Sequence, residues 1–186
     1  MSLVKKEPRL INVNVKQDLL MKSLTNYYKN HKTELNKMVK IIQGKSNISL
    51  RIIDWFITNY SKKYNILIDK TSKTQKTSKN TFNVHHNYKT QLKSFSKKQF
   101  DPFRRNSRID FEYANGKTIE TTVAQLNFFR WAFKNQIIDY IQKKYKIIEK
   151  DMLTNIKDKK DKSKKLSASA SCQLSKNIGK VVVEFF

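Results

Sequence analysis

Ile109-Asp110-Phe111-Glu112-Tyr113-Ala114-Asn115-Gly116-Lys117-Thr118-Ile119-Glu120-Thr121-Thr122-Val123-Ala124-Gln125-Leu126 decides the fold class. Ile109, Phe111 and Tyr113 alternate with Arg108, Asp110 and Glu112, the period of a strand with one buried face. Asn115-Gly116 is the dipeptide that a type I′ turn prefers, so the spacing predicts a hairpin returning over Lys117 to Thr121. Thr122-Val123-Ala124-Gln125 then fits a capping box that opens a helix. That helix carries Leu126, Phe128, Phe129, Trp131, Ala132 and Phe133, apolar on most sides, which suits a core helix better than a cofactor box. The pattern predicts a single α+β domain, mostly helical with one hairpin. It is compatible with a winged-helix variant in which the hairpin is the wing.

Upstream lies a short basic helix, Tyr88 to Lys98, that stops at Gln99-Phe100-Asp101-Pro102-Phe103. Lys89, Lys93 and Lys97 recur at i, i+4 and i+8, with Lys98 beside them and no acidic residue from Tyr88 to Phe100. Like charges on one helix face repel unless an anion neutralises them. A merely solvated face would intersperse glutamates, so phosphate contact is the favoured reading. Asp101-Pro102 is a turn signal. Phe100 and Phe103 beside it are expected in the core, with stacking on unpaired bases as the alternative. Arg104, Arg105 and Arg108 are half of the six arginines in the chain, and a forked guanidinium fits phosphate or a guanine edge.

The whole composition points the same way. The 186 residues suffice for one ordinary domain or two very small ones, and the hydrophobic share of 38% places part of the chain outside any core. Lys and Arg number 39 against 15 Asp and Glu, a net +24 that attracts polyanions. The coding bias of an AT-rich genome would enrich lysine, but it would enrich Glu and Asp as well. Nucleic acid, DNA before RNA, is therefore the expected partner, ahead of an acidic protein and an anionic membrane surface. Cys172 is the sole cysteine, which excludes an intrachain disulfide and suits a reducing compartment. No apolar run approaches the roughly 18–20 residues of a membrane span. Met1 to Pro8 lacks the apolar core of a signal peptide, so a soluble intracellular protein is expected.

Five segments follow in order. Residues 1–15 form an arm in which Ile11, Val13 and Val15 alternate as in a short strand. Residues 16–155 form the domain. Within it, Gln17 to Gln43 reads as one long helix or two broken near Asn30-His31, two being preferred, with Gly44 placed as a C-cap glycine. Ser49 caps a helix over Leu50 to Tyr60 that is apolar nearly all round, and Ile66-Leu67-Ile68 is a short strand. Residues 70–82 form a flexible basic linker with Lys70, Lys73, Lys76 and Lys79. These lysines either track a phosphate backbone or serve a solvated loop; both readings stay open. A second helix after Gln136 carries Ile137, Ile138, Ile141, Tyr145, Ile148 and Met152. Residues 156–180 read as a disordered Lys/Ser-rich tail. Residues 181–186, Val181 to Phe186, are an apolar strand that pairs within the domain or adds to a protein partner's sheet edge.

Catalysis finds little footing. Adjacent His85 and His86 point in different directions, His31 is distant in sequence, and no cysteine or carboxylate stands at metal-ligand spacing. Three glycines cannot build a phosphate-binding loop. Asp110 and Glu112 suit the outer face of a hairpin better than a Mg²⁺ site. No catalytic residue, metal or cofactor is expected, and the protein reads as non-enzymatic.

Ile48 to Lys63, Tyr88 to Arg105 and Ile119 to Ile141 together resemble an uncharacterised family of small basic proteins of giant nucleocytoplasmic DNA viruses of the mimivirus kind. The most distinctive parts are Tyr88-Lys89-Thr90-Gln91-Leu92-Lys93, Phe100-Asp101-Pro102-Phe103 and Gln125-Leu126-Asn127-Phe128-Phe129-Arg130-Trp131-Ala132. The resemblance covers about residues 45–150 and implies a viral setting, in the virion or in the virus factory of the host cytoplasm. It assigns no residue a role. Genome packaging and viral transcription are the roles a nucleic-acid binder would have there. A structural or adaptor protein docking through Val181 to Phe186 is the alternative.

Overall fold

The interior is built around one helix, Val123–Lys134, whose side chains are all buried except Arg130 and Lys134. The computed structural model describes residues 9–69, 81–114 and 116–158, with side chains from residue 17 onward. In chain order the elements are α1 (Arg9–Asn30), α2 (Lys32–Ile42), α3 (Leu50–Trp55), a π turn (Phe56–Tyr60) and α4 (Ser61–Lys63). Then come β1 (Leu67–Asp69), β2 (Thr81–Asn83), α5 (Val84–Gln99), β3 (Arg108–Ala114) and β4 (Lys117–Thr122). Helices α6 (Val123–Lys134), α7 (Ile137–Lys143) and α8 (145–158) complete the domain. The fold is α+β and mostly helical, as expected, with two antiparallel two-stranded sheets. Among the described residues no helix is long and apolar enough to cross a membrane.

Local signals set most of the boundaries. The α1–α2 break falls at His31, whose ring stacks on Tyr27 at 4.2 Å while its Nδ1 lies 2.9 Å from the Tyr27 carbonyl. Gly44 adopts φ +71°, so the Lys45 N–H reaches the Lys40 carbonyl (2.8 Å) and the Gly44 N–H reaches Ile41 (3.1 Å). This paired closure is the Schellman motif, and it needs a residue at ease in the left-handed region. Ser49 caps α3 by accepting the Ile52 N–H at 3.3 Å.

Two expectations are corrected, and one expected helix takes an unexpected form. Ile11, Val13 and Val15 lie in α1 and not in a strand; a period of two over five residues cannot hold a strand that has no partner to bond. The helix after Ser49 widens into a π turn, an insertion that the apolar pattern does not encode. Its carbonyls find side-chain donors: Thr58 Oγ1 donates to Asp54 (2.7 Å) and Ser61 Oγ to Ile57 (2.8 Å). Finally, the hairpin packs on α2 and α6, and its Phe111 lies edge-on to Tyr28 of α1 at 5.9 Å. It does not stand free as a wing beside the basic helix.

The β3–β4 hairpin carries a bulge that its chemistry requires. Phe111 pairs with Ile119, but Ala114 pairs with Lys117, so Tyr113 is the extra residue. A strictly two-residue hairpin would set Phe111 opposite Glu120 and send Ile119 to the outer face. The bulge restores Phe111, Ile119 and Thr121 to one buried face and leaves Arg108, Asp110, Glu112 and Glu120 outside.

Asp69 pairs with Thr81, so residues 70–80 connect the two strands of the first sheet. Lys70, Lys73, Lys76 and Lys79 lie outside the described residues, as do Asn115, the first eight residues, and 159–186 with the Val181 to Phe186 strand. Helix α8 carries regular structure to residue 158, slightly beyond the expected end of the domain.

Candidate nucleic-acid interface

Helix α5 is held to the core along its length. Its N-cap Asn83 accepts the His86 N–H at 2.9 Å. Asn87 Oδ1 accepts the Trp131 indole N–H at 2.8 Å, and Tyr88, Phe100, Phe128 and Trp131 pack with ring centroids 5.3–6.1 Å apart. Burial pushes the Tyr88 hydroxyl up to about 12, with nearby Asp54 and Asp101 adding to the effect.

The turn after α5 is fixed by two buried amides of α6. Gln125 donates to the Pro102 carbonyl (2.7 Å) and accepts the Thr121 hydroxyl (2.8 Å). Asn127 donates to the Gln99 carbonyl (2.9 Å) and accepts from Arg130 (2.7 Å). Only half of the expected capping box therefore forms. Thr122 accepts the Gln125 N–H at 3.1 Å, while the Gln125 side chain turns inward instead of back to Thr122. Phe100 is buried, which removes it from base stacking; Phe103 is half-buried beneath the Arg105 guanidinium, 4.8 Å from its ring centroid.

On this frame Lys89, Lys93, Lys97 and Lys98 are all exposed, and none forms an ion pair among the described residues. They do not continue one face, however. Ser96 takes φ 56° and ψ 170°, which breaks the helix between Lys93 and Lys97. The break lets Phe95 stack on Phe100 at 6.4 Å and turns the chain towards the next loop, where Asn106 Nδ2 donates to the Lys97 carbonyl at 3.0 Å. Lys89 and Lys93 form one pair; Lys97 and Lys98 belong with the arginine loop.

The arginines depart most from expectation, because each is met by a carboxylate. Arg104 and Arg108 share Glu120 Oε1 at 3.3 and 2.8 Å. Arg105 holds Asp101 with two contacts, 3.0 and 3.3 Å, the Asp101 side chain being 7% exposed. Asp54 is half-buried nearby: burial raises its carboxyl, and Asp101 does too, against the lowering pull of Arg105 and Lys97. Charge patterning along the chain does not reveal Glu120 and Asp54 as neighbours of these arginines. The Asp101–Arg105 spacing of four was a usable signal, whereas the Glu120 pairing depends on the bulged register. What remains is a surface with two guanidinium groups on one carboxylate and four ammonium groups that form no ion pair among the described residues, still positive in sum.

The family model described as a family of unknown function, DUF7197, matches residues 9–182. An uncharacterised protein, L507, of Acanthamoeba polyphaga mimivirus is 42% identical over 148 residues, covering 76% of this chain and 54% of that protein. The chain thus spans about half the length of the curated relative it matches. No solved structure matches. The giant-virus resemblance read from Ile48 to Lys63, Tyr88 to Arg105 and Ile119 to Ile141 is borne out, and the chain belongs to the DUF7197 family of unknown function, with a homologue in mimivirus.

Proposed function

We propose that the protein binds nucleic acid without catalysis, gripping phosphates through α5 and the turn that follows it. The reading rests on one observation: Lys89, Lys93, Lys97 and Lys98 are exposed and form no ion pair among the described residues, on a helix and turn fastened to the core by Asn87, Gln125 and Asn127. A fixed array of unneutralised ammonium groups gains by releasing counterions from a phosphate backbone. Arg104 and Arg108 contribute a weaker share, since Glu120 competes for them. Duplex DNA is the first ligand to try, and packaging or transcription of a viral genome, in the virion or virus factory, is the setting.

The experiment is fluorescence anisotropy of a labelled DNA duplex, with single-stranded DNA and structured RNA in parallel, over a salt series. Engagement of about 5–9 phosphates gives a slope of log K against log salt near −4 to −8. Lys89→Ala with Lys93→Ala should flatten that slope by about 2 and weaken duplex, strand and RNA alike, as phosphate contacts do. A salt-independent affinity, or a quadruple Lys89, Lys93, Lys97, Lys98→Ala variant that binds as tightly as the parent, overturns the reading.

A further inference from the structure

A second basic site lies where α2 meets the junction of α7 and α8. The groove there encloses about 900 Å³ and is lined by Lys37, Lys40, Lys143, Lys144 and Lys146. Among the described residues one carboxylate, Glu149, lines the groove and keeps its charge, against five lysines. Asp139 pairs with Lys37 at 3.1 Å, and Glu149 accepts the Tyr145 hydroxyl at 2.8 Å. Lys40, Lys143, Lys144 and Lys146 are exposed and without ion pairs among the described residues. A concave wall of low dielectric concentrates the field of such a cluster.

The floor is of another kind. Ile41, Ile48 and Ile138 are buried beneath the groove, Tyr145 is half-buried, and Ile147 is 56% exposed at its edge. Ser46 accepts the Ile48 N–H at 3.2 Å and so keeps its hydroxyl proton to donate. The volume falls in the range of roughly 300–1,000 Å³ that suits small ligands and is far more than a lone phosphate fills. An occupant must therefore join several negative charges to a flat apolar part.

We propose that this groove binds a nucleoside polyphosphate unit, phosphates on the lysine rim and base against Tyr145 and Ile147, either as free nucleotide or as the triphosphate end of a strand. None of its residues lies on α5, so it stands independently of the interface described above.

The test uses the full chain and trinitrophenyl-ATP, with displacement by ATP, by inorganic tripolyphosphate, and by an oligonucleotide bearing a 5′-triphosphate or a 5′-hydroxyl. Saturable binding is expected, with Lys40→Glu plus Lys144→Glu weakening it by about tenfold or more, the loss of at least one charge-assisted contact. Tyr145→Ala should weaken ATP but leave tripolyphosphate unchanged. Displacement by ATP identifies free nucleotide; displacement by the 5′-triphosphate oligonucleotide and not the 5′-hydroxyl form identifies a strand end. Lys89→Ala with Lys93→Ala should lower duplex affinity and spare this binding, which separates the two sites. The proposal is overturned if nothing saturates or if the Lys40/Lys144 variant binds unchanged. It is equally overturned if tripolyphosphate competes as well as ATP with Tyr145→Ala silent, which would mark a bare polyphosphate groove.

Discussion

The indole N–H of Trp55 donates to Asp151 Oδ2 at 3.1 Å, joining the first half of the domain to its last helix. The other oxygen of Asp151 takes Lys63 Nζ at 2.6 Å and the Tyr64 hydroxyl at 3.2 Å, and its side chain is only 8% exposed. Burial alone would raise this carboxyl; the three donors outweigh it and hold it below its ordinary range.

Asp151→Ala should therefore cost about 2–3 kcal/mol, because it leaves the Trp55 N–H without an acceptor in a partly buried site. Asp151→Asn, which keeps one acceptor, should cost less. The sign with pH follows from the lowered carboxyl. Its stabilisation is whole above the unfolded value, near 3.8, and is lost as pH falls through the lower folded one. Urea melts from pH 7 to 2 should show the parent losing more stability than Asp151→Asn on the acid limb. Parallel curves would refute the assignment.

Gln125 has no exposed surface, and its amide is divided between Thr121 and Pro102. Gln125→Glu replaces the donor facing the Pro102 carbonyl with a carboxylate oxygen, so two acceptors meet in a dry site. A loss of about 3 kcal/mol or more is expected at neutral pH, falling as the introduced acid protonates. Because Pro102 lies in the turn that leads into Arg104 and Arg105, a milder Gln125→Leu variant should also lower protection of the 99–106 amides in hydrogen exchange. Unchanged protection would show that the turn is held by other contacts.

How far these features could be read in advance depends on how local their causes are. The Ser49 and Thr122 caps and the Gly44 stop each rest on residues within four positions, and all three form. The apolar run Leu126 to Phe133 names the buried helix without needing a partner. Ser96 is different: its helix break goes with a contact between Phe95 and Phe100 across the turn, and nothing at positions 93–97 announces it. The pairing of Arg104 and Arg108 with Glu120 is hidden for the same reason. It depends on a one-residue bulge at Tyr113, and charge patterns read without register cannot see it.

Gly44 offers a test of backbone conformation alone. A Cβ built there meets nothing within 4 Å, so any cost of Gly44→Ala arises from the left-handed φ of +71°. That cost should be about 1 kcal/mol, with Gly44→Asn in between, because asparagine visits this region more readily. Denaturant midpoints for the three proteins should rank Gly, Asn, Ala. Equal midpoints for Ala and Gly would mean that the α2 stop relaxes instead of holding its Schellman bonds.

Glu120 decides what the arginines are for. It sits diagonally across the β3–β4 ladder from Arg108, and both are largely exposed, at 44% and 63%. Exposed pairs of this kind contribute about 0–1 kcal/mol, so Glu120→Gln should barely move the unfolding midpoint. Binding should respond more, since the change releases two guanidinium groups from one carboxylate and adds a unit of positive charge. If Arg104 and Arg108 face the polyanion, duplex affinity should rise and the salt slope steepen by about 1–2, one for each phosphate newly engaged. If they are only hairpin fasteners, affinity and slope should match the parent, and the grip would fall to the four lysines of α5 and its turn. The same measurement on Lys89→Ala with Lys93→Ala keeps the two contributions apart, because those residues share no partner with Glu120.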